Sequence, residues 1–266
     1  MTTWLDALAG LSARAEPAVL VTVLRAQGST PREAGAKMVV SAGETHGTIG
    51  GGHLEMEATR TARELLTASS SGEAPPPLSR DFGLGPSLGQ CCGGAVTLLF
   101  EAILPPDWRI ALFGAGHVGR ALVRLLGDLP CRVDWFDPRP DEFPGALPGN
   151  VHAVVTDDPE GEVPGLPPGC DVVVFTHSHD LDQAIVAAAL RRSDLGYLGL
   201  IGSRTKRARF EARLRERGFA AGDLVRIVCP IGLPGVGGKG PAEIAIAVAA
   251  QLLQLRRPAR PAPSGQ

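Results

Sequence analysis

Ile110–Gly119 reads IALFGAGHVG and runs on into RALVRLL, and this stretch decides the fold. An apolar run stops at Gly114, and Gly114, Gly116 and Gly119 match G-x-G-x-x-G between a predicted strand and a predicted helix. Gly114 permits the tight turn, Gly116 lets the backbone approach a phosphate, and Gly119 lets the helix pack closely on the strand. The helix then begins with free N–H groups and a positive dipole end. A second apolar strand, 132–136, ends at Asp137, about 20 residues on, where dinucleotide folds place a ribose-binding acid. The pattern predicts a Rossmann-like domain; whether its ligand is a nucleotide stays open.

Moving outward, the βα alternation is irregular. PRPDEFPGALPGN separates Asp137 from a strand at 151–155, and DDPEGEVPGLPPGC separates that strand from one at 171–175. Proline and glycine there exclude ordinary crossover helices. A parallel sheet needs cover on both faces, so the N-terminal half or a second copy of the chain is expected to supply it. Regular alternation resumes with helices at 181–192 and 205–217, strands at 197–201 and 225–228, and a last helix at 242–255. Before residue 105 the pattern is α+β: a helix at 4–15, strands at 18–25, 37–41, 46–49 and 95–104, and a helix opened by Gly50-Gly51-Gly52-His53 and running to about Ala68. Residues 69–77 read as a linker. The fold class is therefore α/β, with a C-terminal Rossmann-like parallel sheet of shortened crossovers and a smaller N-terminal α+β domain. The boundaries are 1–104 and 107–255, with a disordered tail over 256–266.

Composition narrows the function. A chain of 266 residues with 44% hydrophobic content can bury a real core, and a formal charge of −2 argues against nucleic acid as the main partner. No apolar run reaches membrane-spanning length, and MTTWLDALAGL lacks the form of a signal peptide. Five cysteines without C-x-x-C spacing suit free thiols in a reducing cytoplasm.

Further loops look built to meet a ligand. GTIGGGHLE places Gly50, Gly51 and Gly52 just before a helix, and PIGLPGVGGKGPAEIA does the same after the last strand, with Lys239 as a cation and Pro241 at the first helical position. Each also reads as a plain turn and helix start; together with the 114–119 turn they favour an anionic ligand. In GQCCGGAV, Gln90, Cys91, Cys92 and Gly93 lead into a strand. One thiolate there could meet a thiophilic metal, or both cysteines could be small buried hydrophobes. FTHSHDLD follows the strand at 171–175 and places His177 and His179 on the ligand-binding edge of such a sheet. Its near match to a metal-hydrolase run is broken at Leu181 and Asp182, so hydrogen bonding to a polar ligand, or helix capping by Asp180 and Asp182, is preferred. Arg204 and Lys206 at the start of the basic helix are candidate anion holders, and Arg209, Arg213 and Arg217 a solvated face or docking surface.

GSTPREAGAKMVV, GTIGGGHLE, LGQCCGGAVTLLFE, ALFGAGHVG, FTHSHDLD, GLIGSRTKRARF and IGLPGVGGKGPAEIA occur in order from Gly28 to the last helix. Together they resemble the XdhC family of molybdenum-cofactor chaperones. The resemblance implies a protein without steady-state turnover that binds the molybdenum–molybdopterin cofactor as cargo. It would hold that cargo while a cysteine desulfurase supplies the terminal sulfur, and insert it, with the molybdenum-insertion machinery, into apo-xanthine dehydrogenase. By the same resemblance the QCCGG loop lies near the metal, with Cys91 or Cys92 as a molybdenum ligand, and the turn at Gly114, Gly116, His117 and Gly119 near the phosphate or pterin. A cytoplasmic homodimer or larger assembly is expected, with no nucleic acid or membrane partner. The alternative is an NAD(P)-dependent oxidoreductase, with Asp137 on the ribose and His177 or His179 as acid/base.

Overall fold

The computed structural model describes residues 3–69, 74–84, 93–236 and 238–256. The chain forms two compact units, Met1–Asp107 and Trp108–Gln266.

In the first unit, α1 (Trp4–Ala13) starts at a capping box in which Thr3 and Asp6 bond reciprocally. It is followed by β1 (Ala18–Gln27), β2 (Lys37–Ser41), β3 (Thr45–Gly47), α2 (Gly52–Ala68), β4 (Leu78–Gly83) and β5 (Ala95–Ile103). The strands form one antiparallel sheet in the order β3-β2-β1-β5-β4. Alternation sorts the side chains: Val19, Val21, Met38, Leu98 and Phe100 turn to one face and pack with Leu54, Ala58 and Ala62 of α2. On the opposite face α1 covers a smaller patch, where Leu11 meets Ala18 and Val39. The stretch after Ser69, read from its Ser, Pro and Gly content as linker, leads directly into β4. This strand carries Ser, Arg, Asp and Gly around its two apolar residues and lies at the sheet edge, where half-exposed side chains leave little hydrophobic pattern.

The second unit runs β6 (Arg109–Phe113), α3 (His117–Leu126), β7 (Arg132–Asp137), β8 (Val151–Val155), α4 (Pro159–Glu162), β9 (Asp171–Val174), α5 (His179–Leu190), β10 (Leu198–Leu200), α6 (Arg204–Glu216), α7 (Ala221–Leu224), β11 (Ile227–Val228) and α8 (Pro241–Arg256). Its sheet is parallel, in the order β8-β7-β6-β9-β10-β11. That is the Rossmann order, with the topological switch between β6 and β9. Both crossovers flagged by their prolines are short: a 3₁₀ turn at Pro140–Glu142, and α4 with a 3₁₀ turn at Val163–Gly165.

The expected source of cover for this sheet needs correction. Phe143 and Leu147 from the first short crossover join α3 and α8 on one face, against Leu112, Val133 and Trp135. Val163 and Leu166 from the second join α5 and α6 on the other, against Phe113, Phe136 and Val174. Helical length is not required to bury a sheet face; a few apolar side chains on a compact turn suffice. The unit covers itself. Arg256, assigned to the tail, belongs to α8, and 257–266 lie outside the described residues.

Candidate functional site

The carboxyl ends of the parallel strands gather five of the singled-out segments on one edge of the second unit: the turn after β6, Asp137, Thr176–His179, Ile201–Arg204 and the loop before α8. At the switch point the first and third nearly touch. Gly114 adopts φ +114°, and a Cβ there would strike the Phe175 carbonyl. Its glycine therefore serves strand closure as well as the turn. At Gly119 a Cβ would collide with the Gly114 carbonyl, which also accepts from Trp135 Nε1 at 3.0 Å. Around Gly116, by contrast, a Cβ would meet nothing within 4 Å, and no side chain caps α3. His117 is exposed at this open helix start.

Asp137 is not available to a ribose. It is 1% exposed, and both its oxygens are engaged. Oδ2 accepts from Ala115 N at 2.7 Å, inside the glycine turn, and from Arg139 Nη2 at 2.9 Å; Oδ1 accepts from the Arg139 backbone N at 3.0 Å and Nε at 2.9 Å. Burial pushes its pKa up, but these donors outweigh burial and hold the carboxyl below its ordinary range. Glu142 bridges Arg139 and Arg120, extending the ion-pair row toward α3.

The same device recurs at the other helix starts. Glu55 Oε1 accepts from the backbone N of Ile49 (3.0 Å), Gly50 (3.2 Å) and Gly51 (2.7 Å) and from the Thr48 hydroxyl. Burial again opposes ionisation and again loses to the hydrogen bonds, so this carboxyl too sits below its usual range. Glu243 accepts from Gly240 N at 2.9 Å. The Gly50–Gly51 amides and the Gly240 amide, read from sequence as anion-receptive, thus hold the chain's own carboxylates. Lys239 is exposed beside the second of these.

His177 and His179 are both exposed, and Ser178 rather than either aspartate caps α5. Asp182 is fully buried and reaches back to Thr176, accepting from its N at 3.0 Å and its hydroxyl at 2.7 Å. Its other oxygen accepts from Lys206 Nζ at 2.6 Å, and Lys206 also donates to the Ile201 carbonyl at 2.8 Å. Lys206 is therefore a structural cation, not a free anion holder. Among the described residues no group of three or more His, Cys, Asp or Glu is placed to hold a metal.

In the first unit three motifs converge. A Cβ at Gly50 (φ +131°) would strike the Pro31 ring, and one at Gly94 would strike the carbonyls of Gln27 and Ser29. The 28–33 loop is thereby held between the GGG turn and the glycines that follow the cysteine pair. Gln90, Cys91 and Cys92 lie outside the described residues; Gly93 is described and exposed. The other three cysteines are buried, and burial pushes Cys131 up to about 11 and Cys170 to about 12, with Cys229 also raised. None of these three is a thiolate at neutral pH.

Sequence reading missed Glu55 and Thr48, although both lie within or beside the GGG motif, because their bonds depend on how the loop folds back. No helix among the described residues is long and apolar enough to cross a membrane.

Comparison with known proteins gives matches over both units. Residues 110–252 match the model described as XdhC Rossmann domain, and residues 11–74 that of the XdhC and CoxI family. The chain is 28% identical over 243 residues to the uncharacterized protein YqeB of Escherichia coli (strain K12), covering 90% of this chain and 44% of that protein. It is 32% identical over 165 residues to a probable xanthine dehydrogenase subunit of Bacillus subtilis (strain 168), covering 60% of this chain and 47% of that protein. The chain thus spans less than half the length of these curated relatives. A crystal structure of a xanthine dehydrogenase from Bacillus halodurans aligns over 98% of both chains at 22% identity, with a TM-score of 0.49.

Proposed function

We propose, from the premise that this chain belongs to the XdhC family, that it is an accessory protein of xanthine dehydrogenase maturation and acts by binding, without steady-state turnover. More specifically, it carries the molybdenum–molybdopterin cofactor as cargo, holds it while a cysteine desulfurase supplies the terminal sulfur, and passes it to apo-xanthine dehydrogenase.

The observation that carries this reading is the convergence of the 28–33 loop, Gly50 and Gly94 at one end of the first sheet. Cys91 and Cys92 precede Gly93-Gly94 in the sequence and are the cysteines proposed to meet molybdenum. The donor set fits: soft sulfur suits a thiophilic metal, and the buried, protonated Cys131, Cys170 and Cys229 do not compete for it. Taken by itself, the second unit offers Gly116 and His117, at the open start of α3, and the exposed His177, His179 and Lys239, which are proposed as contacts for a polar ligand. The oxidoreductase alternative loses its ribose acid, since Asp137 is enclosed by Ala115 and Arg139.

The test is anaerobic equilibrium binding of molybdopterin and of molybdenum cofactor, with NAD(H) and NADP(H) as competitors. Micromolar or tighter binding, unaffected by nicotinamides and weakened by Cys91→Ala or Cys92→Ala, is expected. Nicotinamide binding without pterin affinity would reverse the order of the two readings.

A further inference from the structure

The first sheet contains a polar row that the sequence pattern does not reveal. β1 and β5 pair regularly up to Val23 opposite Leu98, then shift register, so that Arg25 stands opposite Thr97 and Gln27 opposite Ala95. The extra residue, Leu24, is a β-bulge. Strict alternation would send Arg25 to the same face as Val21 and Val23, toward α2. The bulge re-aims Arg25 and Gln27 to the opposite face, a recognised use of bulges beside binding sites.

On that face β4 completes the row. Asp81 lies opposite Thr97, so Arg25, Thr97 and Asp81 stand in line across three adjacent strands. Thr97 donates its hydroxyl to Asp81 Oδ1 at 2.6 Å and orients the carboxylate. Arg25 makes no ion pair with any described residue. With Gln27, Ala95 and Val96 these residues line a cleft of about 350 Å³, within the size range of small-molecule sites. Strands lie roughly 4.8 Å apart, so Arg25 and Asp81 stand roughly 10 Å apart at the backbone. Thr97 stands between them on β5.

We infer that this cleft binds the 2-amino-4-oxopyrimidine edge of a fused heterocycle, the edge shared by pterins and guanine. Such an edge presents a ring N–H and an exocyclic amine side by side, next to a carbonyl. A carboxylate accepts from the two donors together, and a guanidinium or carboxamide donates to the carbonyl. Asp81 supplies the first function; Arg25 and Gln27 supply the second. The choice of a pterin over guanine rests on the cofactor reading above; the ring-edge chemistry does not.

The two are separated by titrating the full chain with pterin, followed by its fluorescence, and with guanosine monophosphate, using adenosine monophosphate as a control that lacks the edge. The variants are Asp81→Asn, Arg25→Ala and, as a milder second replacement, Arg25→Met, each checked for folding by circular dichroism. Binding of pterin by the unaltered chain, weakened roughly tenfold or more by Asp81→Asn and by an Arg25 variant, is expected, because an unmatched polar partner strongly disfavours binding. Equal pterin affinity in all variants would overturn the cleft and leave the cofactor reading standing. Guanosine monophosphate binding lost in Asp81→Asn, with no affinity for pterin or molybdenum cofactor, would uphold the cleft and overturn that reading. No binding of either ring, or equal binding of adenosine monophosphate, would overturn the inference.

Discussion

Arg139 closes on Asp137 with two parallel hydrogen bonds, Nε to Oδ1 and Nη2 to Oδ2, each 2.9 Å. Two residues apart at the end of β7, they convert the acid that a dinucleotide fold offers to ribose into an internal clamp on the glycine turn, through Ala115 N. The fold keeps its Rossmann strand order while its ribose acid serves the protein itself.

Replacing Arg139 with alanine leaves a buried carboxylate short of its charged partner. Because Arg139 is 38% exposed, the cost is discounted to about 1–2 kcal/mol. Urea unfolding should show a midpoint shift of that size with an unchanged slope; no shift would mean that Ala115 and water suffice to hold Asp137.

Glu55→Ala removes the acceptor of three amide N–H groups at the start of α2. A loss of about 1–3 kcal/mol is expected, with hydrogen exchange accelerating first at Ile49, Gly50 and Gly51. Uniform acceleration along α2, with those amides still protected, would contradict the assignment.

The Lys206–Asp182 pair is almost wholly enclosed, at 12% and 0% exposure. Lys206→Met strands the buried charge and should cost about 3–5 kcal/mol. Adding Asp182→Ala should then cost far less than the same change alone, a coupling that a double-mutant cycle measures. Additive losses would show that the two act independently.

Acid should destabilise the chain through Glu55 and Asp137. Both have folded pKa values below their unfolded ones. The folded state therefore binds fewer protons in that window, and the contribution is complete above the unfolded values of about 4. It is lost as pH falls through the lowered folded values. Melting temperature between about pH 6 and 3 should drop less steeply in Glu55→Gln or Asp137→Asn than in the unaltered chain; parallel curves would assign the acid sensitivity elsewhere.

Cys131, Cys170 and Cys229 should resist a brief iodoacetamide pulse at about pH 7.5, because each is buried with a raised pKa. Peptide mass spectrometry reads this directly. Labelling at the rate of an open thiol would show that these regions unfold locally.

Most of the second unit is legible in its residues alone. Arg109–Phe113, Arg132–Asp137 and Val151–Val155 are strands because apolar runs bounded by glycine or proline are local signals, and local signals survive folding. The motif loops likewise announced themselves through glycine spacing. Tertiary structure alone decided what those loops hold. A helix start that looks anion-receptive is indistinguishable in sequence from one filled by its own carboxylate; only the folded backbone brings Glu55 to Gly51 and Asp137 to Ala115. The row of Arg25, Thr97 and Asp81 depends on a bulge and on an edge strand that carries little hydrophobic pattern of its own. Register is set by pairing between segments far apart in the chain, and a shift of one residue moves every side chain beyond it to the other face of the sheet.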